Sequence, residues 1–155
     1  MDDLVTFMKE RRLADEAAAA AWAARSATIT AWAQKVATLL TRHRIPAEQT
    51  LYDRVGEQKV RIASGWLVLT TRTPSAGRPG VVKDAGILLT PSAELWQYDN
   101  EWPMSARLTA TMPAFRTAEG AALLARCEWI LDNVIEAFAD TLDRNGIDVI
   151  ELEEL

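Results

Sequence analysis

The sequence opens with a long stretch that no helix breaker interrupts. Residues 1–45 contain no glycine and no proline, and alanine, the best helix former, is frequent among them. They therefore predict an N-terminal helical segment. One straight helix of that length would measure roughly 60 Å, whereas a compact chain of 155 residues has a radius of gyration of about 15 Å. The helix therefore either breaks near residues 13–16 or packs in part on a second subunit. We favour the second, with a helical hairpin or a frayed terminus as the alternative.

One face of this predicted helix is apolar. At about 100° per residue, Trp22 shares its face with Ile29 and Val36, and Trp32 lies on one flank. Steps of seven residues are typical of a seam between two helices. These four residues are candidate interface residues, and Trp129 is a fifth because it points away from the apolar stripe of the C-terminal helix. Tryptophan is enriched at binding hot spots, so we expect a homodimer through the N-terminal helix. Packing within one chain is the alternative.

The next part of the sequence changes from a helical to an extended pattern. Short apolar runs separated by turn residues predict an antiparallel sheet of about five strands over residues 50–112, connected as a meander. Within it, residues 59–63 and residues 66–71 predict separate strands on either side of Gly65. Gly86, inside a later run, is a possible bulge.

A second amphipathic helix is predicted over residues 117–145. Its apolar residues follow at steps of three and four, and Asn145-Gly146 supplies a stop signal. The tail, residues 146–155, alternates apolar and acidic residues and is expected to form an edge strand or a mobile peptide. Two helices at the chain ends can cover an apolar sheet face. The expected fold is therefore a two-layer α+β sandwich, with residues 1–155 in one domain.

Charge is unevenly distributed along the chain. The formal net charge is −5, and residues 140–155 alone hold six acids and one base, which makes the tail acidic. Residues 1–116 are weakly positive but show no concentrated basic face, which argues against nucleic acid as a partner. The chain shows no secretory signal and no apolar run long enough to span a bilayer. We therefore expect a cytoplasmic protein without a membrane partner.

The sequence offers no catalytic constellation. Its one histidine, His43, lies between Arg42 and Arg44 at a helix end, and its one cysteine, Cys127, lies on the apolar stripe of the second helix. Nucleophilic catalysis and a multi-cysteine zinc site each need more than this. The carboxylates show no ligand spacing either. We predict no catalytic residue, no metal and no cofactor, and we lean against an enzyme.

These features favour a non-enzymatic protein–protein interaction module, a small dimeric adaptor or chaperone-like protein that binds a protein client. In shape and acidity the chain resembles the small dimeric secretion-chaperone type of α+β protein. The resemblance is at the level of the fold, without a matching motif.

Two alternatives stay open. The first is a small-molecule-binding module or enzyme whose pocket lies between sheet and helices and is lined by Trp66, Trp96 and Tyr98. The second is a nucleic-acid-associated regulator that uses residues 42–44 and the loop over residues 72–83. In that loop, Gly77-Arg78-Pro79 resembles the core of the AT-hook, although the usual basic flanks are missing.

Overall fold

The structure, a computed structural model, describes residues 2–55, 58–102, 108–113 and 121–155. Side chains are described throughout these ranges except at residues 22, 26, 53–55, 59, 99–102, 108–113 and 121–132. In chain order the elements are α1 (Asp2–Arg42), β1 (Gln49–Val55), β2 (Gln58–Pro74), β3 (Val82–Leu89), β4 (Leu95–Trp102), β5 (Leu108–Pro113), α2 (Ala121–Arg144) and α3 (Val149–Glu153). The protein is therefore α+β, with an antiparallel sheet and helices towards both ends of the chain, as the sequence predicts.

α1 is one helix of 41 residues, so the break considered near residues 13–16 is absent. At 1.5 Å per residue it is roughly 60 Å long. Its two halves have different surroundings. Between Ile29 and Leu40 it buries one face in the core, whereas every residue from Asp2 to Ala17 is exposed. The helix therefore extends well beyond the body that it helps to build.

Both long helices end in the same hydrogen-bonded turn. After α1, the amide of Ile45 donates to the carbonyl oxygen of Leu40 at 2.9 Å, and Arg44 takes a φ of 57°. After α2, Gly146 takes the equivalent left-handed conformation, and Ile147 follows it into the core. This arrangement satisfies carbonyls at the helix end and directs an apolar residue back onto the helix.

The sheet closes on itself. Each strand pairs antiparallel with the next along the chain, and β1 also pairs in parallel with β5, at Leu51↔Leu108 and Tyr52↔Thr109. Register shifts in three of the antiparallel pairs mark β-bulges, which bend and twist strands in the way that closure requires. The two-layer sandwich expected from the sequence is therefore not confirmed.

β2 differs from its prediction. It is a single strand of 17 residues that runs through Gly65, so the expectation of separate strands over residues 59–63 and 66–71 is wrong. A glycine inside a strand weakens it but does not end it when both neighbouring strands continue to pair. Gly86 is not a bulge either, because β3 keeps an uninterrupted register with β4. The bulge between β2 and β3 lies on β2, where Val68 is the extra residue.

Two clusters of buried residues lie on the two faces of the sheet. The outer cluster joins sheet residues such as Trp66, Ile87 and Leu89 to the buried faces of α1 and α2. The inner cluster consists of Leu51, Leu88 and Tyr98, with Leu67 and Trp96 packed against it. Successive residues of β3 thus point to opposite sides of the closed sheet, as strand geometry requires.

Candidate functional site

A row of polar contacts crosses the interior of the sheet. Thr70, Gly86 and Tyr98 are paired residues on three neighbouring strands. The hydroxyls of Tyr98 and Thr70 are hydrogen-bonded at 3.1 Å across Gly86, and Tyr98 is only 1% exposed. Burial raises the pKa of the Tyr98 phenol above 10; the Thr70 hydrogen bond opposes this, the Asp84 carboxylate adds to it, and Arg72 opposes it. The phenol is therefore a neutral structural group.

One step along the same strands, Arg72 pairs with Asp84. The guanidinium Nε lies 3.0 Å from Oδ1 of the carboxylate, and the arginine side chain is largely exposed while the aspartate is mostly buried. Oδ1 has no hydrogen bond of good geometry, so the attraction between the two groups is electrostatic. This pair neutralises the charge of Asp84 towards the end of the sheet interior.

An open groove runs between β2 and the C-terminal half of α2. It consists of two adjoining cavities of about 350 Å³ each, which share Leu67 and Arg144. Glu136, Asp140 and Arg144 follow one another along the helix side, and Arg144 donates a hydrogen bond to Oγ1 of Thr141 at 3.2 Å. Small-molecule sites are enclosed and mostly apolar, with few polar groups. The groove is instead open to solvent and lined largely by polar groups.

The structure does not bring together the three aromatic residues of the predicted pocket. Trp66 belongs to the outer cluster, where its indole N–H donates to the carbonyl oxygen of Ile45 at 3.0 Å. Trp96 and Tyr98 belong to the inner side of the sheet, and the Trp96 indole donates to Glu94 at 3.1 Å. A single pocket lined by all three is therefore not formed, because strand alternation and sheet closure separate them.

The predicted interface residues of α1 are mostly inside the chain's own core. Ile29 and Val36 are each 3% exposed within a single chain, and Trp32 is half-buried against the same cluster. Ile29 and Val36 cannot contact a second subunit without leaving that core, which corrects their assignment as interface residues. The side chains of Trp22 and Trp129 lie outside the described part of the structure.

The exposed apolar residues of α1 lie further towards the N-terminus. We call residues 2–17 the N-terminal segment. Leu4 is 61% exposed and Phe7 59%, and Val5 and Met8 are similarly accessible. At about 100° per residue, Leu4 and Met8 point in nearly the same direction as the buried face between Ile29 and Leu40. Two exposed apolar residues thus lie on the core-facing side of α1 beyond the body, with the charged residues Arg11 and Asp15 on the same side between them and the core.

The acidic tail forms a second exposed feature at the other end of α1. It contains α3, whose N-cap is Asp148, with the side chain accepting a hydrogen bond from the amide of Ile150. The expected edge strand is therefore wrong. Nε2 of His43 lies 2.7 Å from Oε1 of Glu151, which ties α3 to the end of α1. Ile150 and its neighbour Val149 are both more than half exposed.

The sequence contained a signal for α3 that the alternation of apolar and acidic residues hid. Asp148 followed three residues later by Glu151 has the spacing of a helix N-cap with an early acidic residue. The sequence itself shows a short apolar cluster over residues 4–8. Its exposure could not be foreseen, because periodicity shows which residues share a face and not what covers that face.

Some of the basic residues considered for nucleic-acid binding already contact carboxylates of the same chain. His43 contacts a carboxylate of α3, and Arg72 pairs with Asp84. Gly77-Arg78-Pro79 lies in the turn between β2 and β3, where the amide of Val81 donates to the carbonyl oxygen of Arg78 at 3.2 Å. These contacts leave the positive charge dispersed, whereas phosphate binding needs it concentrated.

Across the described ranges, no group of three or more His, Cys, Asp or Glu side chains is arranged to hold a metal ion. The helices in those ranges include none that is long and apolar enough to cross a membrane. No protein-family model matches the sequence, and neither the curated proteins nor the solved structures provide a significant match. The proposals below therefore start from the exposed N-terminal segment of the chain itself.

Proposed function

We propose that this protein is a non-enzymatic protein–protein interaction module that associates as a homodimer through the N-terminal segment of α1. The observation that carries the proposal is the uncovered continuation of the core-facing side of α1 over residues 2–17. The role of the protein as an adaptor or chaperone-like protein stays a prediction. In that role, the dimer would be the form that binds the protein client.

The energetic argument concerns the apolar side chains of that segment. Covering a large apolar side chain is worth about 1.5–3 kcal/mol relative to leaving it exposed. Leu4, Phe7 and Met8 lie within an arc of about 100° on the helix, so one contacting surface can cover all three. Contiguous exposed apolar patches on soluble proteins commonly mark interaction sites. The segment therefore has both the composition and the geometry of a docking surface.

A second copy of the chain is the occupant that this arrangement favours. α1 is roughly 60 Å long, and its N-terminal segment extends past the region that its own body covers. In a two-fold dimer every contact is made twice, so two segments of modest size add up to one larger interface. Each copy would then supply the cover that the other lacks.

The test is a measurement of molar mass by light scattering across a range of protein concentrations. The unaltered chain is expected to be dimeric, and the double variant Leu4→Lys/Met8→Lys monomeric. Both positions are exposed in the single chain, so circular dichroism and thermal unfolding of the monomer should be little changed. A monomeric unaltered chain at every concentration would refute the homodimer.

Leu13→Lys provides the matched control. Leu13 is 66% exposed on the same helix, and at about 100° per residue it lies opposite Leu4. The substitution adds one lysine where the double variant adds two, and it removes the same kind of side chain from the other face. We expect it to leave the dimer intact; equal loss of dimer with both variants would show that the effect is not specific to the proposed face.

A further inference from the structure

We propose that the exposed parts of α1 in two copies of the chain pair side by side in opposite directions, with Arg11 of each copy opposite Asp15 of the other. This inference rests on the homodimer proposed above and names the surface that the N-terminal segment meets. That surface is the same face of α1 in the second copy. The order of residues along this face carries the inference.

The face that carries Leu4 continues along α1 in steps that alternate between four and three residues. The residues at those steps are, from the N-terminus, Leu4, Met8, Arg11, Asp15, Ala18 and Trp22. At about 100° per residue, all six positions lie within an arc of about 80°. Alternating steps of three and four residues are the repeat of two helices that pack along their length. The face therefore has the pattern of a contact between two helices.

The residues of this face are arranged symmetrically about the level of Leu13, whose own side chain points away from it. Three pairs of residues lie at equal distances to either side of that level: Leu4 with Trp22, Met8 with Ala18, and Arg11 with Asp15. When two copies of α1 run in opposite directions about a two-fold axis at that level, the members of each pair meet. Apolar residues then face apolar or small residues, and a guanidinium faces a carboxylate.

Arg11 and Asp15 determine the direction of the pairing. Both side chains are exposed in the single chain. In an antiparallel pair they meet each other at two symmetric contacts, whereas in a parallel pair arginine would meet arginine and aspartate would meet aspartate. Complementary charges within a helix contact fix its direction and register. The other charges of residues 2–10 lie about 100° or more from Leu4, outside the contact: Asp2, Asp3, Lys9 and Glu10.

The exposed length of α1 accommodates this overlap. With the midpoint at the level of Leu13, Asp2 of one copy reaches the level of Ala24 of the other, an overlap of roughly 35 Å of helix. The first buried side chain that the structure describes on α1 is Ile29, and the described side chains before it are exposed apart from half-buried Ala18. Each helix therefore ends before it meets the body of the other copy.

The residues beside the face are compatible with the same pairing. On one side, Phe7 lies level with the space between Ala17 and Ala21 of the second copy, where small side chains let the helices approach. On the other side, the Arg12 residues of the two copies come close to each other, and a Glu16 lies about one turn beyond each of them. The four charges on that side therefore balance.

A charge exchange within one chain tests the pairing. Arg11→Asp brings two acids together at both symmetric contacts, and Asp15→Arg brings two bases together. An exposed ion pair is weak, but here the contact occurs twice, so we expect each variant to dimerise about tenfold more weakly than the unaltered chain. Arg11→Asp/Asp15→Arg again places an acid opposite a base and should dimerise nearly as tightly as the unaltered chain. Light scattering over a range of concentrations measures all four chains.

Lys9→Asp is the matched control for Arg11→Asp. Lys9 lies about 140° from Leu4, so this substitution reverses the same charge on the far side of the helix. We expect it to leave the affinity unchanged. An equal loss of affinity with both variants would mean that the net charge of the segment, and not the contact with Asp15, controls association. Circular dichroism and thermal unfolding of each variant at low concentration check that α1 and the fold are retained.

Disulfide formation reports the direction of the helices independently. Met8→Cys and Ala18→Cys place thiols that meet in the antiparallel pair, whereas two copies of either position lie roughly 15 Å apart along the helix. On mild oxidation, a mixture of the two variants should give a linked dimer, and each variant alone should not. The unaltered chain, with its single Cys127, gives the background. A Met8→Cys variant that cross-links to itself would indicate parallel helices and contradict the pairing.

The outcomes separate this inference from the homodimer itself. If the unaltered chain dimerises and Leu4→Lys/Met8→Lys abolishes the dimer, the homodimer stands. If the single charge variants then dimerise as tightly as the unaltered chain, or the double variant does not recover their loss, the segment meets another surface and this inference is overturned. A chain that is monomeric at every concentration would refute the homodimer, and this inference with it.

Discussion

Tyr98 fills the space that Gly86 leaves in the sheet interior. A Cβ atom at Gly86 would collide with the carbonyl oxygen of Leu69 and would lie 2.7 Å from the Tyr98 hydroxyl. The glycine therefore lets the phenol pass across β3 and reach Thr70 on β2. A buried hydroxyl that finds a partner contributes to stability, whereas one without a partner costs the free energy of its lost hydration.

Tyr98 links the stability of the folded state to pH in the alkaline range. The folded state raises the pKa of Tyr98, so the stability linked to its neutral form is complete below pH 10 and is lost as pH rises above that value. We expect Tyr98→Phe to lower the free energy of unfolding by about 1 kcal/mol at neutral pH through the lost hydrogen bond, and to remove part of the alkaline loss. Urea unfolding at several pH values measures both effects.

Tyr52→Phe is the control, because it removes the other tyrosine of the chain and leaves the Tyr98–Thr70 contact in place. The variant should keep the full alkaline loss that belongs to Tyr98. If Tyr98→Phe and the unaltered chain lose stability in parallel above pH 10, the buried phenol is not the group responsible.

The contrast between β4 and Gly86 shows what local sequence pattern can predict. The alternation of residues 95–98 is enough to place Leu95 on one face of β4 and Trp96 and Tyr98 on the other, because a strand has a period of two residues. The role of Gly86 depends on which residues lie beside it on β2 and β4. That register involves residues far apart in sequence, so the pattern around the glycine could not distinguish a bulge from a cross-strand passage.

At the scale of elements, α1 shows the same limit. Its lack of breakers and its alanines predict a helix, and its period predicts an apolar face. Leu4 and Leu40 lie on that one face, but Leu4 is exposed and Leu40 is fully buried. Tertiary packing distinguishes them, because only the C-terminal half of α1 has α2 and the sheet beside it. The helical period shows which residues share a face but not what packs against that face.

Two truncations test this division of α1. Residues 2–17, which a chain beginning at Ala18 lacks, are all exposed, so we expect its free energy of unfolding, measured on the monomer, to change by no more than about 1 kcal/mol. A chain that begins at Pro46 loses Ile29, Val36 and Leu40 from the core, and we expect it not to fold. Circular dichroism and thermal melts distinguish the two.

Leu40→Ala and Leu13→Ala give the same comparison within the full-length chain. The first removes a fully buried side chain and should cost about 2–5 kcal/mol, and the second removes an exposed one and should cost little. A stable, folded chain beginning at Pro46 would mean that the core does not depend on α1.

At the scale of the whole molecule, closure of the sheet was beyond sequence reasoning. Short connections favour antiparallel pairing of strands that follow one another, and the structure confirms that order. The parallel pairing of β1 with β5 joins residues such as Leu51 and Leu108, which no short connection relates. It arises from the accumulated twist and the bulges of the intervening strands, which composition and periodicity do not encode.

The proposed dimer links association to stability. When only the folded chain associates, raising the protein concentration stabilises the folded state by mass action. Above the dissociation constant, each tenfold increase in concentration should raise the Tm of the full chain by about 2–4 °C. The chain beginning at Ala18 retains the core but lacks the docking segment, so its Tm should not depend on concentration. Leu13→Lys should keep the dependence, and Leu4→Lys/Met8→Lys should lose it.

This comparison also shows which part of α1 the association uses. A dependence retained by the chain that begins at Ala18 would place the contact on the body of the protein and contradict the docking role of residues 2–17. If the chain that begins at Ala18 loses the concentration dependence of Tm but Leu4→Lys/Met8→Lys retains it, the association uses the N-terminal segment but not the face that carries Leu4 and Met8. Loss in both, with unchanged unfolding of the monomer, requires that the exposed continuation of the core-facing side be the surface that a second chain covers.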